Sequence, residues 1–385
     1  MKKYLLSLGM LVLALVASAQ QLQRVPLYEM GEEGSRFYRI PALVKAPDGA
    51  LVAIADKRGD ALGDLPNVIT IVSKRSVDGG RTWSGMSVVA QGDTAAKCGY
   101  GDAVAIADEE RGNIVAVFSG NNGLWHSNKD NLIRTYMSVS SDGGKSWGEV
   151  ADITEQVYGG VYGDGERYGL FTGSGSGLQL RNSKYAGRLM FVVAARNDAS
   201  WGGTLSNYAI YSDDGGRTWS ASRNAATSNG DEAKVVELPN GNVLMSIRNR
   251  SKNHRLFSLS TDGGETWSVA SVNSTILDPA CNGDIISVAR DGVNYLLHSL
   301  PASKTTRENV TVYVSTDDGC TWSAKRLIYN GFSAYSSMQL LDDGTIGIIV
   351  EEGKWDGSLP GEDGFNLGYY NFTLDWLLQG DGDKK

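Results

Sequence analysis

One eight-residue pattern, Ser-x-Asp-x-Gly-x-Thr/Ser-Trp, occurs five times in this 385-residue chain and limits its fold more than any other feature. Successive copies begin 64, 72, 48 and 55 residues apart, which is the length of a four-stranded sheet with its loops. We call each copy a box. The spacing predicts a propeller in which each box marks one blade. The boxes are residues 76–83, 140–147, 212–219, 260–267 and 315–322.

The residue types of the box indicate a structural hairpin turn. The Asp can accept hydrogen bonds from backbone N–H groups of the turn, and the Gly can adopt a positive φ. Strand-forming residues precede each box, and the Trp supplies apolar bulk to bury between neighbouring units. Because such a turn satisfies its own polar groups, we expect no catalytic residue inside a box.

The first 19 residues have the features of a secretory signal peptide. Met1-Lys2-Lys3 is followed by a short apolar run and then by Ala17-Ser18-Ala19. We therefore expect an exported protein, periplasmic or extracellular, with a single propeller domain over residues 20–385. No Cys follows the apolar run as a lipoprotein anchor would require, and no later run is long enough to span a bilayer, so no membrane anchor is expected.

Composition excludes several classes of function. The net charge is −8 and no basic run occurs, which argues against nucleic acid as a partner. The three histidines are scattered without metal-ligand spacing, so we expect no metal and no cofactor. With three cysteines, the chain can form at most one internal disulfide.

Three arginines stand out because each lies in or beside an apolar strand pattern. They are Arg39, Arg248 and Arg307. A buried Arg is costly unless a carboxylate accompanies it, so a structural ion pair is one interpretation. The Gly-rich residues 171–180 lack the Lys of a phosphate-binding loop, and close approach of backbone to a ligand or a neighbouring blade explains them better.

The segment Tyr38-Arg39-Ile40-Pro41, followed by the repeated boxes, resembles the bacterial exo-sialidases, also called neuraminidases, with their Asp boxes. The resemblance covers essentially all of residues 20–385. It implies an all-β, six-bladed propeller of four-stranded antiparallel blades. It also implies a glycosidase without cofactor, acting as a monomer, that removes terminal sialic acid from glycoproteins, glycolipids or oligosaccharides with retention of configuration.

The resemblance assigns the three arginines to the carboxylate of the substrate. Three guanidinium groups converging on one carboxylate are chemically reasonable, because each offers a rigid fork of donors. Arg39, Arg248 and Arg307 match the family positions. Glu351 matches the acid that holds the first arginine in place, although Glu352 is adjacent.

The same resemblance assigns Tyr335 as the nucleophile, Glu232 as the base that activates it, and Asp64 as the general acid/base. A neutral phenol avoids the repulsion that a carboxylate nucleophile would meet, since sialic acid carries a carboxylate on its anomeric carbon. Asp64 needs a raised pKa for its role, through burial when substrate binds. Asp60, in the same loop, is the alternative.

Arg58 and Asp102 match family positions near O4 of the sugar, and Trp125 is a candidate wall for its N-acetyl group. Each of these residues also has an ordinary structural explanation. Arg58 and Asp102 could belong to a surface ion pair, and Trp125 could belong to the core. Taken singly, Tyr335 reads as a half-buried strand residue and Glu232 as a solvated loop acid.

Three other functions stay open at this stage. A trans-sialidase or an intramolecular trans-sialidase shares the core residues and differs in how the acceptor is held. A sialoside-binding propeller without catalysis needs the arginines but not Tyr335, Glu232 and Asp64. A purely structural propeller gives no reason for the three arginines.

Overall fold

The computed structural model describes residues 22–59, 62–251, 253–354 and 364–379, and these form a ring of six antiparallel sheets. The predicted six-bladed, all-β propeller is confirmed. The predicted signal peptide and Asp60 lie outside the described residues. No helix within the described ranges is long and apolar enough to cross a membrane.

Blades are numbered along the chain, and the strands of each are given from the innermost to the outermost. In blade 3 the two short strands Leu170–Thr172 and Leu178–Gln179 pair with the same neighbour and together count as the first strand. Blade 1 contains Tyr38–Lys45, Leu51–Lys57, Thr70–Ser76 and Ser87–Ala90; blade 2 contains Tyr100–Asp108, Asn113–Gly120, Arg134–Ser140 and Ala151–Asp152. Blade 3 contains Leu170–Thr172, Leu178–Gln179, Leu189–Arg196, Leu205–Ser212 and Ser220–Ala221; blade 4 contains Gly230–Glu237, Val243–Asn249, Asn253–Ser260 and Ser271–Asp278. Blade 5 contains Asp284–Arg290, Val293–Pro301, Val310–Ser315 and Ala324–Leu327; blade 6 contains Ser333–Leu340, Thr345–Lys354, Gly364–Thr373 and Val25–Tyr28.

Blade 6 closes the ring with both ends of the chain. Its outermost strand is the N-terminal Val25–Tyr28, which pairs antiparallel with Gly364–Thr373. A helix, Leu374–Leu378, begins directly after this strand ends at Thr373. The Thr373 side chain caps this helix by accepting from the N–H of Trp376. The remaining helices are Glu32–Gly34, Leu124–His126 and Thr154–Tyr162.

The hydrophobic core lies between blades. Six of the apolar clusters each join the facing sides of two adjacent blades, and together they run around the ring. The Trp residues of the boxes contribute to these clusters as predicted. Trp219, for example, is 5% exposed and packs edge-on against Phe191, with its ring centroid 5.1 Å away. Each box therefore helps to join its blade to the preceding one around the ring.

Every box closes on itself, as the sequence predicted. In the first, the N–H and hydroxyl of Thr82 donate to Asp78 at 2.9 and 2.7 Å, and the N–H of Gly80 donates to Ser76 at 2.9 Å. The hydrogen bonds from Thr82 hold the pKa of the Asp78 carboxyl at about 2. Gly80 has a φ of 86°, which a residue with a Cβ would adopt only under strain.

The boxes and the candidate site lie at opposite ends of the propeller. Each box follows the third strand of its blade, whereas the connection from the second to the third strand returns at the other end. Those connections carry Asp64 in blade 1, Trp125 in blade 2, Arg250 in blade 4 and Arg307 in blade 5. The expectation that the boxes hold no site residue agrees with this separation.

The Gly-rich segment crosses the central channel. Gly175–Ser176 pairs parallel with the inner strand of blade 2, and the Ser176 hydroxyl donates to Asp284 of blade 5 at 2.6 Å. Gly175 has a φ of 80°, and a Cβ there would lie 2.7 Å from the side chain of Lys234. The glycines thus serve close approach between blades, one of the two explanations inferred from the sequence. The segment separates the candidate site from a cavity of about 560 Å³ at the box end of the channel, lined in part by Ser176 and Gly177.

Candidate active site

The inner strands of four blades reach the site through a β-bulge. At each bulge two residues of the inner strand lie opposite one residue of the next strand, which redirects the side chains. The bulged residues include Ile40, Asp102, Glu232 and Tyr335, and two of them, Ile40 and Asp102, have positive φ values of 57° and 58°. The four bulges place side chains from blades 1, 2, 4 and 6 at one mouth of the channel.

Tyr335 and Glu232 meet across the channel. The Tyr335 hydroxyl donates to one carboxylate oxygen of Glu232, and Arg248 donates to the other. Arg248 also lies 3.2 Å from the Tyr335 hydroxyl oxygen. Tyr335 is 6% exposed and Glu232 is 3% exposed, so both are buried. Taken singly, the sequence had indicated a half-buried tyrosine and a solvated acid.

Charge and burial move the pKa values of this pair in opposite directions. Burial, and then the negative charge of Glu232, raise the pKa of the Tyr335 hydroxyl well above its usual value. Burial alone would also raise the pKa of Glu232. The charge of Arg248, followed by the hydrogen bond from Tyr335, outweighs burial and lowers it. The pair therefore consists of a protonated phenol and an ionised carboxylate.

Glu351 holds Arg39 against Tyr335. Its carboxylate accepts from the Arg39 guanidinium at 3.0 Å and from the backbone N–H groups of Ile40 at 2.7 Å and Tyr335 at 3.1 Å. Glu351 is fully buried. The adjacent Glu352 instead accepts from Arg24 and from Tyr370, each at 2.6 Å. The geometry thus distinguishes the two acids and gives Glu351 the contact with Arg39.

All three predicted arginines surround Tyr335. The guanidinium carbons of Arg39 and Arg307 lie 5.1 and 5.6 Å from the centre of its ring, and Arg248 contacts its hydroxyl. Arg307 also donates to the carbonyl of Ala280 at 3.1 Å. Three positive charges facing one buried ring create a site suited to an anion.

Asp64 lies over this cluster with its side chain 60% exposed. It accepts from Arg58 at 2.7 Å and lies 3.8 Å from Arg39. Partial burial raises the pKa of the Asp64 carboxyl, but the charges of Arg58 and Arg39 outweigh it, and the pKa is lowered. The free protein therefore holds Asp64 ionised, and the raised pKa expected when substrate binds stays a prediction.

Arg58 is not part of a surface ion pair. It is 2% exposed and donates to Asp56 at 2.9 Å as well as to Asp64. Burial raises the pKa of the Asp56 carboxyl to about 6 despite this partner. Burial, and then the charges of Asp56 and Asp64, raise the pKa of Asp102 well above its usual value. Asp102 thus places a carboxyl group with a raised pKa near the Arg58 guanidinium, and a donor and an acceptor together suit the binding of a hydroxyl group.

Trp125 lies beside two arginines. The guanidinium carbons of Arg196 and Arg250 are each 5.4 Å from the centre of its ring. Arg250 continues toward the site by donating to Asp231 at 3.2 Å. Trp125 is therefore a rim residue rather than a residue of the blade core.

Sequence reasoning missed Asp231 and Lys234. Asp231 is 8% exposed, lies 3.8 Å from Arg248, and accepts from the backbone N–H of Glu232 at 3.0 Å. Lys234 is 2% exposed and donates to the carbonyl of Gly173 at 2.7 Å and to Asn282 at 2.8 Å, and burial lowers its pKa to about 8. The signal was present as three acids and one lysine in an otherwise strand-like stretch, residues 230–237.

No cluster of potential metal ligands occurs within the described part of the chain. The site combines an arginine-lined anion pocket, a buried tyrosine–glutamate pair and an exposed aspartate at the mouth of a six-bladed propeller. These features define the class as an Asp-box propeller with an anion-binding mouth. Residues 49–348 match the family model described as the BNR repeat-like domain, and the chain belongs to that family.

Curated relatives and solved structures agree on the family. The chain is 35% identical to a sialidase of Micromonospora viridifaciens and 30% identical to a sialidase of Bacteroides fragilis. The alignments cover 90% and 83% of this chain, but 53% and 61% of those relatives, so the chain spans little more than half of their length. The predicted resemblance to bacterial sialidases is confirmed.

The fold is shared with solved sialidases. A Hadza microbial sialidase, Hz136, superposes with a TM-score of 0.80 at 26% identity, over 92% of this chain and 69% of that one. The intramolecular trans-sialidase of Ruminococcus gnavus superposes with a TM-score of 0.77 at 20% identity, over 92% and 98%. At that identity, the second likeness supports the fold alone.

Proposed function

We propose that this protein is an exported exo-α-sialidase that hydrolyses terminal sialosides with retention of configuration. The observation that carries the proposal is the contact of Tyr335 with both Glu232 and Arg248, with Arg39 and Arg307 facing its ring. The sialidase names of the relatives support the same activity. The substrates are sialylated glycoproteins, glycolipids or oligosaccharides.

Binding begins with the carboxylate of the sugar. Arg39, Arg248 and Arg307 receive it, and the bidentate donors of the three side chains orient the anomeric carbon over Tyr335. Arg58 and Asp102 hydrogen-bond a hydroxyl group of the sugar ring. Trp125 borders the neighbouring ring substituent. Arg39 and Arg248 are already held by carboxylates and Arg307 by the carbonyl of Ala280, so little side-chain ordering remains to be done on binding.

The reaction proceeds in two displacements. In the first, the Tyr335 oxygen bonds to the anomeric carbon while its proton moves to Glu232, and Asp64 protonates the departing oxygen as the glycosidic bond breaks. In the second, water attacks the anomeric carbon and gives a proton to Asp64. The bond to Tyr335 breaks, and Glu232 returns the proton to the phenol. Two inversions give net retention.

The substrate itself prepares Asp64 for its role. In the free protein Arg58 and Arg39 keep Asp64 ionised. A substrate carboxylate bound by Arg39 neutralises one of those charges and adds a negative charge nearby, and both changes raise the pKa of Asp64. The general acid is therefore protonated more readily in the complex than in the free enzyme.

The direct test is release of sialic acid from sialyllactose, with the first-formed anomer followed by NMR. We expect the α-anomer first, and we expect Asp64→Asn to lower kcat about 100-fold or more on sialyllactose because the departing oxygen is no longer protonated. The leaving group of an aryl sialoside needs less protonation, so Asp64→Asn should lower kcat less on that substrate. Saturable binding without turnover would instead indicate a sialoside-binding propeller, and an anhydro product would indicate an intramolecular trans-sialidase.

The pH dependence gives a second test. Activity requires protonated Asp64, so it declines as pH rises through the pKa of that group. The pH at which kcat/KM declines reports the pKa of Asp64 in the free enzyme, where that pKa is lowered. The pH at which kcat declines reports the pKa of Asp64 in the complex with substrate. We expect the decline in kcat at the higher pH. Coincident declines in kcat and kcat/KM would contradict the proposed effect of the substrate carboxylate.

A further inference from the structure

Trp201 is exposed at the same end of the propeller as the candidate site. It lies in the connection between the second and third strands of blade 3, and 67% of its surface is accessible. No other tryptophan in the described ranges is exposed. The indole of Trp201 therefore offers an apolar ring to solvent that is available for contact with a ligand.

The loop that carries Trp201 is rigidly held. The buried Arg196 donates to the carbonyl of Ser200 at 3.3 Å, and also to the carbonyls of Leu124 at 3.1 Å and Ser127 at 2.9 Å in the blade 2 loop. One guanidinium thus fastens the two loops together. On the outer side the ring of His126 packs edge-on against Trp201, with ring centroids 4.8 Å apart.

A second arginine ties this loop to the candidate site. Arg250 donates to the carbonyl of Gly202 at 3.1 Å and to the carboxylate of Asp231 at 3.2 Å, while its guanidinium faces Trp125. Asp231 in turn precedes Glu232 and accepts from its N–H. The loop of Trp201 is therefore linked by direct contacts, through Arg250 and Asp231, to the Tyr335–Glu232 pair.

We propose that Trp201 forms a sugar-binding subsite at the rim, which takes a neutral sugar of the glycan beyond the terminal sialic acid. The apolar face of a pyranose ring stacks on an indole, and a ring already fixed by its neighbours loses little entropy on binding. This subsite makes extended sialylated oligosaccharides better substrates than simple sialosides. It rests on the proposed function, because it deepens the specificity of the same site.

The test compares a methyl α-sialoside, which has no second sugar, with sialyllactose and a sialylated pentasaccharide. We expect Trp201→Ala to lower kcat/KM about tenfold on the longer substrates and less than twofold on the methyl sialoside. Trp201→Phe keeps an aromatic face and should recover most of the loss. Val269→Ala, which truncates a 91% exposed residue following the fourth box, is the control for surface truncation.

Equal losses on all substrates, or no loss on any, would overturn the subsite. Binding keeps the two proposals separable. In a Tyr335→Phe background, titration calorimetry with the pentasaccharide should show about tenfold weaker binding when Trp201 is also replaced by Ala, even if no substrate is turned over. Absence of turnover by the wild type would reject the proposed hydrolase. Equal affinities of the Tyr335→Phe variant and of the double variant for the pentasaccharide would reject the subsite.

Discussion

Replacing Tyr335 by Phe is expected to lower kcat on sialyllactose about 10⁴-fold, because the substitution removes the proposed nucleophilic oxygen. The ring and its packing stay, so the three arginines keep the face they surround. Glu232 loses a hydrogen bond but retains Arg248. We therefore expect KM to change much less than kcat. Steady-state kinetics with the purified protein measure both.

The last blade supplies a matched control for this substitution. Tyr370 is also buried, and its hydroxyl donates to Glu352 at 2.6 Å, which makes a second tyrosine–glutamate pair away from the arginine cluster. Tyr370→Phe should destabilise the fold about as much as Tyr335→Phe while leaving kcat near that of the wild type. Similar losses of kcat in both variants would show that the effect comes through the fold and would remove the case for Tyr335 as nucleophile.

Replacing Glu351 by Ala is expected to lower the free energy of unfolding by about 3–5 kcal/mol, since it removes a carboxylate that lies 3.0 Å from the guanidinium of the buried Arg39. The substitution also leaves the N–H groups of Ile40 and Tyr335 without their buried acceptor. Activity should fall in the fraction that stays folded, because Arg39 loses the group that aims it at Tyr335. Urea unfolding and kcat/KM measure the two effects.

Two further variants separate charge from position. Glu351→Gln keeps an acceptor oxygen of the same reach, so we expect a smaller loss of stability but still a marked loss of activity. Glu352→Ala removes the adjacent acid, which pairs with Arg24 and Tyr370, and should leave kcat/KM within about threefold of the wild type. A larger effect on activity from Glu352→Ala than from Glu351→Ala would reverse the assignment.

The repeated boxes were sufficient to predict a propeller, because a turn motif that recurs at blade-length intervals leaves few alternatives, whereas the number of six blades came from the resemblance. The residues that surround Tyr335 were also predicted, but only through the resemblance. Composition and spacing say nothing about which blades face each other across a channel. The contact between Tyr335 and Glu232 joins residues 103 positions apart, and no local pattern encodes it.

The parts that could not be predicted depend on backbone irregularity and on burial. A β-bulge adds one residue to a strand without a reliable sequence signal, so the turning of Glu232 and Asp102 toward the mouth was not foreseeable. The burial of Arg58 follows from the packing of its loop on the blades. The lowered pKa of Asp64 follows from two guanidinium groups that the chain order does not bring together.

The closure of the ring has a consequence for how the protein is made. Val25 pairs with Tyr369, and Arg39 meets Glu351 across 312 positions of sequence, so both contacts await synthesis of the last blade. Pairings this distant in sequence form slowly, because the chain loses the entropy of loop closure before the contacts that stabilise the closed form are made. A ribosome-bound chain with five finished blades therefore has neither a closed ring nor an ordered arginine cluster. The sixth blade supplies partners for both, which makes the capacity to bind an anion a property of the closed ring.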